Sequence, residues 1–124
     1  MNIKGEGVFI AGGAGVTPFI SIFKYLQQQN NIQNNMLIFS NKTENDIILK
    51  DEFEKMLGSN FINVITSQPN TQYHNKRIDK AFLKDTIPDF KQHFYVCGPD
   101  EFTKNILDAL AALGANAETL VFEK

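Results

Sequence analysis

A glycine-rich run near the amino terminus has the residue types of a phosphate-binding turn. It reads Gly12-Gly13-Ala14-Gly15-Val16-Thr17-Pro18 and lies between an apolar stretch and a segment of helical periodicity. Backbone N–H groups at such a turn, and at the start of the helix after it, can bind a phosphate. Glycine also permits positive φ and the close approach of a ligand to the backbone. The alternative is a tight turn that only closes a strand onto a helix.

A second short run, Cys97-Gly98-Pro99, follows a later apolar stretch. Gly98 and Pro99 allow a sharp turn, after which Asp100 or Glu101 begins a helix. Taken alone, Cys97 is typical of a small buried hydrophobic residue. A phosphatase-type cysteine would need a downstream anion-binding loop with arginine, and none follows Cys97. Both runs therefore come at the carboxyl ends of expected strands, where open α/β sheets bind ligands.

Short apolar runs that alternate with helical periodicity predict the elements that position these turns. Strands are expected at Gly7 to Ala11, Asn35 to Ser40, Phe61 to Thr66, His93 to Cys97 and Thr119 to Phe122. The intervening helices carry Phe19 to Leu26, Leu49 to Leu57, Asp79 to Ile87 and Phe102 to Leu113, with a long loop from Ser67 to Lys76. The pattern predicts an α/β fold with an open, doubly wound, five-stranded parallel sheet.

Length and composition limit the classes of function. The chain has 124 residues, enough for one domain over residues 1–124, and its net charge of −2 argues against nucleic-acid binding. No apolar run is long enough to span a membrane, and no signal peptide is recognisable. A single cysteine cannot form an internal disulfide, which agrees with a cytoplasmic location. His74 and His93 are isolated, so no metal site is expected.

Together the two turns resemble the two motifs of the nucleotide-binding domain in the ferredoxin–NADP reductase family, which includes flavodoxin reductases. Its first motif, Gly-Gly-x-Gly-[Val/Ile]-Thr-Pro, differs from the common G-x-G-x-x-G pattern. Its second motif is Cys-Gly-Pro after a later strand. The segment Ile47 to Phe53 also looks like the family's helix after the second strand. The resemblance covers nearly the whole chain and implies an NAD(P)-binding domain.

The resemblance assigns roles to particular residues. It places Gly13, Ala14 and Gly15 against the dinucleotide pyrophosphate. It places the Thr17 hydroxyl near the nicotinamide carboxamide, although Thr17 could also be an N-cap. Cys97 would lie beside the nicotinamide and hold its reactive carbon near a flavin. We therefore expect Cys97 and Thr17 to be catalytic, and the cofactor-binding set to be Gly13, Ala14, Gly15, Val16, Thr17, Pro18, Ser67, Arg77, Cys97, Gly98, Pro99 and Phe122.

The choice between NADH and NADPH stays open, with a slight preference for NADH. Where plant-type relatives have a Ser-Arg pair that binds the 2′-phosphate, this chain reads Ser67-Gln68. Lys42 or Lys76 and Arg77 could substitute. No acidic residue comes immediately at the end of the second strand to bind a ribose diol. Near the carboxyl terminus, Phe122 resembles an aromatic residue that approaches the flavin, or else belongs to the core of the last strand.

The resemblance also implies an FAD-binding β-barrel domain ahead of this one, with an Arg-x-Tyr-[Ser/Thr] motif that is absent from this chain. The full-length protein would transfer hydride from NAD(P)H to FAD and electrons onward to flavodoxin, ferredoxin or a similar carrier. The isolated domain is expected to be inactive. Two alternatives are a non-catalytic dinucleotide-sensing module and a methyltransferase-like domain. The latter would need an acidic residue at the end of the second strand, where Phe39-Ser40-Asn41 has none.

Overall fold

A five-stranded parallel sheet forms the centre of the molecule in the computed structural model, which describes residues 5–123. The strands are β1 (Gly7–Gly12), β2 (Met36–Asn41), β3 (Phe61–Ile65), β4 (His93–Cys97) and β5 (Leu120–Glu123). The helices are α1 (Thr17–Gln28), α2 (Lys50–Leu57), α3 (Lys80–Thr86) and α4 (Asp100–Ala112). The strand order is β3-β2-β1-β4-β5, and every neighbouring pair is parallel. The predicted sheet is confirmed.

The strand order reverses between β1 and β4. The chain first moves outward from β1 through β2 to β3, and then crosses to the other side of β1 to form β4 and β5. Loops that leave β1 and β4 consequently turn to opposite faces and leave a crevice at their carboxyl ends. In the register, Ala11 of β1 pairs with Cys97 of β4. The two motif turns therefore begin side by side at this crevice.

Each face of the sheet carries its own apolar core. On one face, α1 and α2 pack over the sheet, and the Phe9 ring lies 5.1 Å from Phe19, 4.7 Å from Phe23 and 4.4 Å from Tyr95, between ring centres. On the other face, α3 and α4 cover Val8, Ile10, Phe94 and Val96. Helices on both faces explain why the inner strands are continuously apolar.

The strand boundaries differ from the expected ones at a few residues because side chains take over the backbone hydrogen bonding. Asn35, expected to begin β2, lies before it with 1% of its surface exposed. Its Oδ1 accepts from Gly7 N at 3.0 Å, and its Nδ2 donates to Asn31 O at 3.0 Å. Thr119 likewise belongs to a short 3₁₀ turn capped by Asn116, so β5 begins at Leu120.

Candidate functional site

A cleft of about 820 Å³ lies at the carboxyl ends of the strands, where the sheet order reverses. Residues from both motif turns line it, together with residues that follow β2 and β3. The lining residues are Gly12, Gly13, Ala14, Gly15, Pro18, Ser40, Asn41, Lys42, Asp46, Ile48, Thr66, Cys97, Gly98, Pro99 and Phe102. The structure thus brings together most of the predicted site.

The glycine turn is a single 3₁₀ turn, Gly13–Val16, that leads directly into α1. Gly13 has φ of +56°, and a Cβ at this residue would meet no heavy atom within 4 Å. The turn is therefore open above Gly13, as a site for a phosphate needs to be. Val16 is the N-cap residue of α1, with no side-chain cap hydrogen bond, and Thr17 already has helical φ and ψ. The N-cap interpretation of Thr17 was wrong.

Gly15 joins the two motifs. A Cβ on Gly15 would lie 2.6 Å from the Cys97 carbonyl carbon and 2.7 Å from the Gly98 Cα, and it would overlap the Cys97 carbonyl oxygen. The backbone of the first turn can therefore touch the backbone of the second only because residue 15 has no side chain. The two short motifs, 82 residues apart if counted from Gly15 to Cys97, form one wall of the cleft.

The second turn is held in place by α4, which begins at Asp100 as expected. Thr103, 4% exposed, donates from Oγ1 to Gly98 O at 3.2 Å. The Phe102 ring covers Gly12 and Gly98 so closely that a Cβ on either residue would lie 3.1 Å or less from it. Sequence periodicity placed Phe102 on one face of the predicted helix, and its place in the cleft was missed.

Cys97 lines the cleft although only 4% of its surface is exposed. Pro18 and the backbone of Gly98 and Pro99 line it too. Val16, in contrast, is fully buried in the core beside α1, so only its backbone can face a ligand. Thr17 is exposed but is not among the residues that line the cleft.

The wall of the cleft beside β2 and β3 contains polar residues that sequence reasoning missed, including Asn41, Asp46 and Thr66. Asp46 folds back because Thr43 and Asp46 form a capping box, in which Asp46 Oδ2 accepts from Thr43 N at 3.2 Å and from Thr43 Oγ1 at 3.0 Å. The Thr-x-x-Asp spacing in the sequence is the pattern that could have predicted this capping box. Asn41 is 6% exposed, and its Nδ2 has no hydrogen-bond partner among the described residues.

The long loop after β3 is tied to the segment after β2. Glu44 N donates to Gln68 Oε1 at 2.9 Å, Gln68 Nε2 donates to Glu44 Oε2 at 3.2 Å, and Thr71 Oγ1 donates to the same carboxylate oxygen at 2.7 Å. Tyr73 of this loop raises the pKa of Lys50 above its ordinary value, first through a side-chain hydrogen bond and then through a charge interaction. The loop is therefore anchored to the short 3₁₀ turn Glu44–Asp46, and at the start of α2 the Lys50 Nζ lies 5.6 Å from the Tyr73 ring centre.

Besides Val16 and Thr17, three more predicted site residues lie outside the set that lines the cleft. Ser67 is exposed at its margin, where Ser67 N donates to Lys42 O at 2.8 Å. Arg77 is exposed farther along the loop. Phe122 is 53% exposed on the edge strand β5, so the expectation that it is a core residue was wrong. Its approach to a flavin stays a prediction.

Residues 5–123 contain no group of three or more His, Cys, Asp or Glu side chains that could hold a metal ion. No helix in this part of the chain has the length and apolar character to cross a membrane.

Comparison with known proteins agrees with this geometry. The profile of the oxidoreductase NAD-binding domain family matches residues 9–108. The electron transfer component of 2-halobenzoate 1,2-dioxygenase from Burkholderia cepacia is 24% identical over 123 residues, which are 94% of this chain and 36% of that protein. Cytochrome b5 reductase 4 from Mus musculus is 30% identical over 109 residues, or 79% of this chain and 21% of that protein.

Solved structures share the fold. The CS-b5R domains of human Ncb5or, in the NAD+ form, superpose with a TM-score of 0.84 at 24% identity, covering 100% of this chain and 40% of that one. A ferredoxin NADP+ reductase from Neisseria gonorrhoeae, solved with FAD and NADP, gives a TM-score of 0.77 at 21% identity, over 95% of this chain and 55% of that one. This chain spans only about a third or less of the two curated relatives. Because the family profile covers most of its residues, the chain belongs to the oxidoreductase NAD-binding domain family.

Proposed function

We propose that this chain binds a nicotinamide dinucleotide in the cleft and presents it to an FAD held by another domain of the same protein. The pyrophosphate would lie on the turn of Gly13, Ala14 and Gly15, with the nicotinamide beside Cys97. The full-length protein would then be an NAD(P)H-dependent flavin oxidoreductase, like the reductases among its relatives. FAD supplies the hydride acceptor in that reaction.

The observation that carries this proposal is the contact between the two turns. Gly15 touches the Cys97–Gly98 backbone, so a ligand bound on the glycine turn would extend toward Cys97. A turn that merely closed β1 onto α1 would not need this contact. A dinucleotide site also needs room for the pyrophosphate against the backbone, and the open space above Gly13 meets this requirement.

Each wall of the cleft has a distinct task in this proposal. The start of α1 and the turn before it supply N–H donors and a partial positive charge to the pyrophosphate. Cys97, Gly98 and Pro99 form a narrow apolar wall that orients the nicotinamide ring, with the Phe102 ring behind them. Orientation is their contribution, because hydride transfer requires two rings in close, aligned contact.

Thr17 and Phe122 complete the proposed arrangement from outside the cleft. Both are exposed, so both are accessible to a docked flavin domain or to the nicotinamide end of a ligand. We assign the Thr17 hydroxyl to the nicotinamide carboxamide and Phe122 to the flavin side. Electrons would leave the flavin for a carrier such as flavodoxin, ferredoxin or a similar protein.

The test is calorimetric titration of the chain with NADH, NADPH and S-adenosylmethionine, for the wild type and two matched glycine variants. Gly13 and Gly58 both have φ of +56° and open space around the added Cβ, but only Gly13 lines the cleft. Gly13→Ala and Gly58→Ala should therefore lose similar stability, whereas only Gly13→Ala should weaken dinucleotide binding, by roughly tenfold.

Other outcomes would favour the rival functions. Selective binding of S-adenosylmethionine would contradict the proposal and support a methyltransferase-like domain. The absence of an acidic residue at the end of β2 no longer argues against that rival, since Asp46 lines the cleft. Dinucleotide binding without any coenzyme oxidation by the full-length flavoprotein would instead identify a sensing module.

A further inference from the structure

We propose that Asn63 positions the cleft residue Asn41 for dinucleotide binding, through one buried water molecule that joins the two amides. The inference rests on the proposed function, in which the nicotinamide lies beside β4 and the pyrophosphate lies on the turn after β1. The adenosine half then extends to the other side of β1, over the end of β2. Asn41 is the last residue of β2 and lines the cleft at this end.

Two buried amide atoms on neighbouring strands lack hydrogen-bond partners. In the part of the chain that the structure describes, they are Asn41 Nδ2 and Asn63 Oδ1. The first can only donate and the second can only accept, so their requirements are complementary. Asn41 is 6% exposed and Asn63 is 4% exposed, and leaving a polar atom unpaired at such burial is costly.

The strand register places the two side chains on the same face of the sheet. Asn41 of β2 pairs with Ile65 of β3, and Asn63 pairs with the residue two positions before Asn41. Side chains two residues apart on a strand share a face. Phe39 and Ile65, which complete this square of four residues, belong to the apolar core on the α1 and α2 side. Asn41 and Asn63 are therefore diagonal neighbours in that layer.

The spacing of the strands suits a single bridging water. Strands about 4.8 Å apart, with a rise of about 3.3 Å per residue, place the Cα atoms of a diagonal pair about 8 Å from one another. One water that accepts from Asn41 Nδ2 and donates to Asn63 Oδ1, each over about 2.9 Å, joins polar atoms up to about 6 Å apart. The two side chains reach across the remainder. Buried waters commonly satisfy polar groups that protein contacts leave unpaired.

Asn63 affects a ligand only through Asn41. It is absent from the cleft lining and instead lines a separate pocket of about 390 Å³ at the outer edge of β3, with Ser59 and Gln72. The bridge fixes the inner end of the Asn41 amide, so that its outer end meets the adenosine half in one orientation. Such preorganisation improves affinity, because binding no longer has to order the side chain. It acts alike on NADH and NADPH, which share their adenine.

A double-mutant cycle in thermal denaturation tests whether the two asparagines are joined. Asn63→Val removes the acceptor and leaves Asn41 Nδ2 unpaired, so we expect the midpoint to fall by about 5 °C. In an Asn41→Val background the same change should lower it by less than about 2 °C, because replacing both polar partners by apolar groups is nearly neutral. Asn63→Thr has the shape of valine with a hydroxyl that accepts from water, and should stay within about 2 °C of the wild type.

Calorimetric titration with NADH, NADPH and ADP-ribose tests the positioning role. Asn63→Val should weaken binding of all three by a similar factor, about three- to fivefold, whereas Asn63→Thr should stay within about twofold of the wild type. ADP-ribose lacks the nicotinamide, so an equal loss shows that the nicotinamide end is not involved. In the Asn41→Val background, Asn63→Val should change none of the three affinities. Leu110→Ala, a core substitution on the opposite face of the sheet, is the control for destabilisation alone and should leave the affinities unchanged.

The outcomes separate this inference from the function on which it rests. Three results would overturn the inference and leave the proposed function intact: additive midpoint shifts in the cycle, unchanged coenzyme affinity in Asn63→Val, or equal losses of affinity in Asn63→Val and Asn63→Thr. Binding of neither coenzyme, under conditions where circular dichroism shows the chain folded, would overturn both.

Discussion

At the scale of single residues, the site depends on a position where no side chain fits. Gly15 packs its Cα against the Cys97 and Gly98 backbone, and backbone cannot move aside as a flexible side chain can. Changing Gly15 therefore tests whether the two motifs function as one wall. Gly13 is a useful contrast, because its surroundings are open and only its positive φ is demanding.

We expect Gly15→Ala to destabilise the fold by about 2–3 kcal/mol, because the added Cβ forces the β1 and β4 turns apart. Gly13→Ala should cost only about 1–2 kcal/mol, from backbone strain alone. Urea denaturation of both variants measures the difference. If Gly15→Ala proved as stable as the wild type, the contact between the two turns would be looser than the structure shows.

The residue types of the two motifs were enough to predict one wall of the cleft, formed by the two turns. Residues that side-chain hydrogen bonds bring to the opposite wall were not predicted. Gly13 was identified from the composition and position of the glycine run, and Cys97 from the resemblance of Cys97-Gly98-Pro99 to a family motif. Asp46 was missed, because its position depends on the capping box with Thr43 rather than on strand register. Arg77 was included because basic residues suit phosphate, but it is not among the residues that line the cleft.

At the scale of elements, α3 packs against one face of the sheet, and one side chain caps its first turn. Asp79 Oδ1 accepts from Phe82 N at 2.8 Å, an N-cap hydrogen bond at the first turn. Phe82 and Leu83 in that helix pack into the core with β1 and β4. The cap therefore fixes the helix that covers one face of the sheet.

Asp79→Ala should destabilise the protein by about 1 kcal/mol, since it removes the acceptor for the first turn of α3. Asp79→Asn should recover most of this loss, because asparagine is an equally good N-cap residue. Chemical denaturation of the two variants measures both effects. Equal destabilisation by Ala and Asn would show that charge, and not the hydrogen bond, is what matters at this position.

The loop was predicted from Ser67 to Lys76, and in the structure residues 66–79 contain no named helix or strand. This loop is nevertheless firmly attached to the rest of the domain. Asn75 Nδ2 donates to Ile65 O at 3.0 Å and to Gln68 O at 3.2 Å, while Ile65 N donates to His74 O at 2.8 Å. Hydrophobic periodicity predicts helices and strands, but it gives no information on single hydrogen bonds within a loop. Side-chain tethers of this kind cannot be read from a single sequence.

Asn75→Ala should increase the local mobility of this loop without unfolding the sheet. It removes the Asn75 donor from Ile65 O and Gln68 O, of which Gln68 O keeps its hydrogen bond from Thr71 N. We expect faster amide hydrogen exchange at Ile65 and Thr71, with little change in β1 and β4. Hydrogen–deuterium exchange with mass spectrometry resolves these segments. Accelerated exchange throughout the sheet would indicate that the loop instead supports the whole fold.

At the scale of the whole molecule, the two apolar cores share one five-stranded sheet. The cleft lies at the carboxyl ends of four of these strands, β1 to β4. The alternation of apolar runs and helical periodicity was sufficient to predict this architecture, because strands buried on both faces are continuously apolar in sequence. The strand order was not predicted, since it depends on which strands pair and not on local pattern. The position of the site at the reversal of that order could therefore be found only from the structure.

The shared sheet leads to the prediction that the domain unfolds in one transition and that a coenzyme stabilises all of it. Leu110, fully buried on the face opposite α1, does not line the cleft. Leu110→Ala should cost about 2–5 kcal/mol. NADH at roughly one hundred times its dissociation constant should then add about 2.7 kcal/mol to wild type and variant alike, a rise in midpoint of roughly 10 °C.

Thermal denaturation, followed by far-ultraviolet and near-ultraviolet circular dichroism, checks the prediction of a single transition that NADH shifts. S-adenosylmethionine serves as the control ligand, which should leave the midpoint unchanged. Coincident transitions that shift together with NADH would show that occupancy of the cleft is coupled to both cores. Two separate transitions, of which NADH shifted only one, would mean that the faces of the sheet unfold independently. The coenzyme would then stabilise only the part of the molecule around the cleft.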